Sequence, residues 1–313
     1  MIRYFKSHED DIIEEFTPTE GSWIALTNPT AAEIKQVSTL YNIDMDDLKA
    51  PLDEEERSRV EIEENYTMVL VDIPVIESRN DKDWYVTIPM GIIMARGIII
   101  TVCLQDNPVL DSFMEGRVRH FNTAWRTRFI LQILYKNASW YLHYLRLIDK
   151  RSEELEQNLQ SSMKNEKLVE LLELEKSLVY FRTSLRSNEM VLEKLMKSER
   201  IKKFPEDEEL LEDVIIENKQ AMEMASIYSG ILSGMMDAFS SIISNNLNIV
   251  MKFLASVTIV MSIPTIIGGY YGMNVNEAGM PFAGSEYGFA IVILLSIVIS
   301  LIVAAIFQKF KLF

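Results

Sequence analysis

Hydrophobic and polar positions follow three successive patterns along this chain. In the first, short apolar runs rich in β-branched residues alternate with turn formers. Ser22 to Leu26 reads as a short strand, followed by Pro29 and a helix-like stretch to about Leu40. Asp44 to Leu52 reads as a short acidic helix. Val60 to Glu63 and Tyr66 to Ile76 form two strands around a turn at Glu64-Asn65, and Trp84 to Ala95 and Ile98 to Leu104 form a second pair turning at Arg96-Gly97. Pro108 then opens a helix of about ten residues. An α+β domain with a small sheet is expected.

From Ala124 the pattern becomes helical. Trp125 to about Leu159 and Glu166 to about Arg200 are rich in Leu, Glu, Lys and Arg and contain no Gly or Pro. Pro205 breaks this run and suits the first turn of a new helix, where Glu206, Asp207, Glu208 and Glu209 meet the positive end of its dipole. Nothing after Pro205 stops that helix before Pro264. One continuous helix over residues 206–271 is predicted, on the order of 100 Å long at 1.5 Å per residue. Gly230 and Gly234 give it a close-approach surface, and Leu211, Ile215, Met222, Ala225, Leu232, Met236, Phe239 and Ile243 recur at roughly coiled-coil spacing.

The third pattern is the absence of charge. No charged residue lies between Lys252 and Glu277, and none between Glu286 and Lys309. Each stretch exceeds the roughly 20 residues needed to cross a hydrocarbon core. Two transmembrane helices are expected, at about 250–272 and 288–308. The hairpin between them carries Glu277 and Glu286 but no base, whereas Lys252, Lys309 and Lys311 flank the other ends. By the positive-inside rule both termini are cytosolic and the hairpin lies outside a plasma or inner membrane. The start, with His8, Glu9 and Asp10, lacks the features of a secretory signal, so the large N-terminal part is expected in the cytosol. The expected division is a cytosolic α+β domain at 1–123, long cytosolic helices at 124–205, a stalk at 206–249, the first span at 250–272, an extracytoplasmic loop at 273–287, the second span at 288–308, and a cytosolic tail at 309–313.

The net charge of −15 resides in the soluble part, because the acids Glu277 and Glu286 cancel Lys309 and Lys311 beyond Lys252. Such acidity argues against nucleic acid and is compatible with cations. Cys103, the single cysteine, lies in an apolar run and reads as strand packing; one thiol forms no internal disulfide. No G-x-x-x-x-G-K loop and no catalytic constellation is visible, so neither an ATP-driven pump nor an enzyme is expected.

On a helical wheel of the first span, Asn248, Met251, Ala255, Thr258, Ser262, Thr265, Gly269 and Gly272 fall within an arc of about 120°, with Leu254 and Ile266 on its edges. Phe253, Val257, Val260, Ile263 and Ile267 lie elsewhere. A stripe of small and hydroxyl residues has two readings, a tight helix–helix seam or the lining of a water-filled pore. Asp237 and Asn248, eleven residues apart and so within about 20° of one another, continue the stripe into the stalk. In an oligomer they form oxygen rings that cations can use, which favours the pore. The second span has only Ser296 and Ser300 as hydroxyls and is expected to face lipid. Two spans cannot enclose an aqueous path, so conduction requires several copies.

The stripe ends in Tyr271-Gly272-Met273-Asn274. This motif, between two C-terminal spans, resembles the CorA family of magnesium channels. The runs Asn248 to Leu254, Pro264-Thr265, Asp44 to Leu48 and Arg59 to Tyr66 are also similar to that family, so the resemblance covers nearly the whole chain. It implies a homopentamer with a funnel-shaped cytosolic domain, Mg²⁺ as the transported ion, and no organic cofactor. It implies that Tyr271, Gly272, Met273 and Asn274 form the outer filter, that Asn248, Met251, Leu254, Ser262 and Thr265 line the conduit, and that Asp237 makes an acidic ring. Ala255, Thr258 and Gly269 join the lining from the stripe. It also implies an inter-subunit regulatory Mg²⁺ site at Asp213, with partners in the acidic turn Glu63-Glu64. Asp213 lies 24 residues before Asp237 and is therefore rotated by about 240°, away from the pore axis. The chain departs from some relatives at Ser262, where a methionine stands, at Asn65, where an aspartate stands, and in a proline one residue closer to the motif.

Mg²⁺ dehydrates reluctantly, so a filter of amide and carbonyl oxygens can hold its hydration shell from outside. His8, His120 and His143 all lie in the soluble part, which argues against a dedicated Zn²⁺ or Cu site. Two alternatives remain: a Co²⁺, Ni²⁺ or Zn²⁺ transporter with the same motif, and a membrane-anchored coiled-coil scaffold or sensor.

Overall fold

Trp23 and Ala25 point to one side of a strand and Ile24 and Leu26 to the other, yet all four are buried. A strand apolar on both faces belongs in the middle of a sheet that is covered twice. The computed structural model places it there. It describes all residues except 9–10, 80–81, 162–164, 199–203, 277–278, 283 and 311–313. Glu9, Asp10, Glu277 and Lys311, used in the charge arguments above, lie outside the described residues.

The sheet is made by β1 (Ile2–His8), β2 (Asp11–Glu15), β3 (Trp23–Thr27), β4 (Arg59–Ile62), β5 (Tyr66–Arg79), β6 (Lys82–Ala95) and β7 (Ile98–Cys103), in the order β2-β1-β3-β7-β6-β5-β4. Neighbours are antiparallel except β3 and β7, which run parallel with Trp23 opposite Ile99. The seven strands exceed the small sheet that sequence reasoning expects, because β1 and β2 were missed. Charged Arg3 and Lys6 interrupt β1, and β2 is an edge strand carrying Asp11, Glu14 and Glu15, as protected edges do. The β6–β7 turn is as expected: Arg96 and Gly97 both take positive φ, +36° and +86°, which a tight hairpin of this hand requires.

Helices α1 (Ala31–Tyr41) and α2 (Met45–Lys49), with the 3₁₀ turn Ala50–Leu52, cover one face. Thr30 caps α1 reciprocally with Glu33, and Ile34, Val37 and Leu48 pack on Ile24, Leu26, Met68 and Ile100. The other face carries α3 (Pro108–Met114), the long α4 (Arg126–Ser161) and α5 (Asn165–Met196), and the start of α6 (Pro205–Tyr271). Trp23 sits there among Phe5, Phe113 and Phe129, donating its indole N–H to Thr101 Oγ1 at 2.9 Å. Leu192, Leu195, Leu211 and Val214 belong to the same core.

The chain forms two units, Met1–Met235 and Met236–Phe313. In the first, α6 lies beside α5: Asn218 Nδ2 donates to the Leu185 carbonyl at 3.0 Å, and Ser233 Oγ donates to Glu175 at 2.6 Å. This corrects one expectation. Leu211, Ala225 and Leu232 are buried within the unit and are not free to form a coiled-coil seam between copies, because α5 folds back to cover that face. Gly230 and Gly234 are different, since no side chain or neighbouring backbone comes within 4 Å of a Cβ built on either.

The second unit holds the remainder of α6, 67 residues long in all, and α7 (Gly288–Lys309). Both helices are long and apolar enough to cross a membrane. The helix runs through Pro264, whose missing N–H leaves the Val260 carbonyl without its usual partner.

Candidate conduction path and its outer loop

On the second half of α6, Asp237, Asn248, Met251, Leu254, Ala255, Thr258, Thr265 and Gly269 are exposed in the single chain, and Ser262 is half-exposed. Exposure by itself does not single out the stripe, because Ile249, Phe253, Met261 and Ile266 are exposed as well. The covered side is informative: Ser256 is buried, and Val257, Val260, Ile263 and Ile267 are partly covered. The stripe therefore keeps clear of the packed face, and its carboxylate, amide and hydroxyl groups, interspersed with Met251, Leu254 and Ala255, remain open.

The hydroxyls of that column satisfy their hydrogens within the helix. Thr258 Oγ1 donates to the Leu254 carbonyl at 2.8 Å, Ser262 Oγ to Ile259 at 2.8 Å and Thr265 Oγ1 to Met261 at 3.4 Å. With its proton held by the backbone, each oxygen turns lone pairs outward. Such a surface accepts hydrogen bonds from the water shell of a cation.

On α7, Ser296 is buried and donates to the Ile293 carbonyl at 2.8 Å, and Ser300 donates to Ser296 at 2.8 Å. Ser296 lines a cavity bordered by Pro264, Tyr271, Gly288 and Phe289, and Leu294, Leu301 and Ile302 are exposed in the single chain.

Helix α6 ends at Tyr271. The Gly272 N–H still bonds the Gly268 carbonyl at 2.9 Å, Met273 N–H reaches Tyr270 at 3.3 Å, and Val275 N–H closes on Met273 at 3.0 Å. Gly272, Met273 and Asn274 thus form a tight, exposed turn directly on the end of the column. The Tyr271 hydroxyl donates to the Pro281 carbonyl at 2.8 Å.

The proposed regulatory residues lie apart within one chain. Glu63 and Glu64 are exposed in the β4–β5 turn and make no ion pair with a described residue, whereas Glu61 and Glu56 pair with Arg59. Asp213 is exposed on α6 near Tyr135 of α4; burial, together with the charges of Glu217 and Asp213, holds that phenol above its ordinary pKa. No group of three or more potential metal ligands occurs among the described residues of one chain. Not all of the acidic helix start is solvated. Asp207 is only 5% exposed, and burial raises its pKa against the pull of Arg128.

Two features escape sequence reasoning. One is the Tyr271–Pro281 bond, since its ends lie ten positions apart in the sequence. The other is Asp72 in β5, whose backbone carbonyl accepts from Asn188, Asn137 and Tyr141, and whose carboxyl is raised to about 6 by burial. A charged residue between Val71 and Ile73 in an apolar strand was the available signal.

The family described as CorA-like Mg²⁺ transporter protein matches residues 19–309. A cobalt/magnesium transport protein CorA of Methanocaldococcus jannaschii is 29% identical over 296 residues, 92% of this chain and 90% of that one. One of Thermotoga maritima is 24% identical over 319 residues, covering 99% of this chain and 89% of the relative. The complete structure of the CorA magnesium transporter from Methanocaldococcus jannaschii aligns with a TM-score of 0.84 at 26% identity, over 99% of this chain and 98% of that chain.

Proposed function

We propose that this chain, which belongs to the CorA-like Mg²⁺ transporter protein family, assembles as a homopentamer and conducts Mg²⁺ inward along the stripe of α6. The observation that carries the reading is the open column from Asp237 to Thr265, with the Gly272–Asn274 turn immediately after the end of the same helix. Copied around a shared axis, Asp237 and Asn248 form inner oxygen rings, and Asn274 with the Gly272 carbonyl forms the outer one. A hydrated Mg²⁺ keeps its waters and is selected by outer-sphere hydrogen bonds. The N-terminal domain and both termini then face the cytosol, with residues 273–287 outside.

Asp213, meeting Glu63 and Glu64 of a neighbouring copy, supplies a cytosolic brake. Carboxylates facing one another across an interface repel, and a divalent ion turns the repulsion into a bridge. High internal Mg²⁺ holds the stalks together; its loss lets them part.

A second ion, Co²⁺, is favoured by the names of both relatives cited above. No observation here favours the scaffold reading. The test is uptake by protein reconstituted in liposomes, with Mg²⁺, Co²⁺, Ni²⁺ and Zn²⁺ compared side by side. Saturable Mg²⁺ entry is expected, and entry of none of the four ions refutes the proposal.

A further inference from the structure

The loop after the Gly272–Asn274 turn returns to the membrane helices at two adjacent residues. The Pro281 carbonyl accepts the Tyr271 hydroxyl at 2.8 Å, which ties it to the end of α6. The next carbonyl, that of Phe282, lies against the first residue of α7. A Cβ built on Gly288 would stand 2.3 Å from the Phe282 oxygen and 3.4 Å from its carbonyl carbon, so only glycine admits this contact. Gly288 is buried, although nearly all of the surrounding loop is exposed.

Two further details show that this approach is specified. Phe282 takes φ +64°, a left-handed conformation that a bulky residue adopts only when its surroundings impose it. The same Phe282 oxygen accepts the Ser285 N–H at 3.1 Å, and Gly288 N–H bonds the Ser285 carbonyl at 3.0 Å.

We propose that Pro281 and Phe282 form a clasp that closes the outer loop onto both membrane helices, and that Tyr271 and Gly288 are positioning residues for the ion-capturing turn. This reading reassigns Tyr271. Its hydroxyl is engaged by Pro281 and so serves the loop, whereas the adjacent Gly272–Asn274 presents the oxygens. The turn begins at the residue after Tyr271, so loss of the tether changes how sharply Asn274 is held and not whether the chain folds. The proposal rests on the reading of Gly272–Asn274 as the filter.

The test uses the full chain in liposomes, with Mg²⁺ uptake measured over a concentration series and assembly checked by gel filtration of the same sample. Tyr271→Phe removes one oxygen and keeps the ring. It is expected to raise the apparent KM for Mg²⁺ by roughly three- to tenfold, the value of one hydrogen bond, with the maximal rate within about twofold of the parent. Gly288→Ala pushes the Phe282 carbonyl away and is expected to raise KM at least as far. Adding Phe282→Gly to Gly288→Ala frees that backbone to move aside and should recover most of the loss. A purely structural role would lower the amount of assembled protein and leave KM alone. If Gly288→Ala fails to assemble, Tyr271→Phe still decides. Parental KM in Tyr271→Phe, or failure of Phe282→Gly to restore Gly288→Ala, overturns the clasp. Asn274→Ala, run alongside, separates the two readings: unchanged uptake there removes the filter assignment itself, whereas lost uptake there with parental KM in the other variants removes only the clasp.

Discussion

Replacing Asp72 with asparagine should make the first unit more stable at neutral pH and equally stable in acid. The residue sits in β5 under α4 and α5, where its backbone N–H donates to Asn188 Oδ1 at 2.9 Å and its carbonyl takes three side-chain donors. Burial raises its carboxyl from 3.8 to about 6, opposed by hydrogen bonds from Ser184 and Ser58. The folded pKa lies above the unfolded one, so the contribution to stability is fully present below pH 3.8 and is lost as pH rises through about 6. A shift of about two units at 1.36 kcal/mol each sets a ceiling of about 3 kcal/mol. Asp72 retains some exposure to water, so about 1–2 kcal/mol is the expected gain in Asp72→Asn at pH 7. In a unit of this size that raises Tm by about 2–8 °C. Thermal unfolding followed by tryptophan fluorescence in mild detergent, at steps from pH 4 to 8, checks it. The variant and the parent should converge near pH 4 and diverge above pH 6. A variant that melts lower than the parent at pH 7 would refute the claim that the buried charge is a cost.

Three further outcomes test the account elsewhere. Currents across membrane patches should be suppressed by millimolar cytosolic Mg²⁺ in the parent and require severalfold more in Asp213→Ala or Asp213→Lys; equal suppression in all three removes the brake. Native mass spectrometry should find five copies, and only monomers or dimers in mild detergent would leave no enclosed path. A Cβ added at Gly230 or Gly234 meets nothing within 4 Å inside the chain, so Gly230→Ala and Gly234→Ala should leave helix content by circular dichroism unchanged while lowering the pentamer fraction. Full assembly in both would show that this surface makes no close approach between copies.

What was legible in the sequence depended on how local the governing forces are. The helix from 206 to 271 was predicted almost to the residue, because Pro205 starts it and no breaker interrupts it before Pro264. The spans were legible because a charge-free run of that length has few other homes. The β6–β7 turn was read from Arg96-Gly97 alone. Missed elements depend on partners distant in sequence. β1 earns its place by pairing with β3 across the intervening β2, through Ile2 opposite Leu26. The burial of Leu211, Ala225 and Leu232 depends on α5 folding back, which periodicity on α6 cannot reveal. The same holds at the outer loop. The motif ending in Asn274 is visible in the sequence, but the hydrogen bond from Tyr271 at the end of α6 to the Pro281 carbonyl across the loop is not.

The central claim is that Asn274, at the end of the α6 column, captures the hydrated ion. Mg²⁺ influx into liposomes holding equal amounts of assembled parent and Asn274→Ala protein tests it most directly. Removing the amide takes one oxygen per copy from the outer ring, and at roughly 1–2 kcal/mol of lost outer-sphere bonding in all, influx at low Mg²⁺ should fall about five- to thirtyfold. Parental influx through Asn274→Ala would contradict the account.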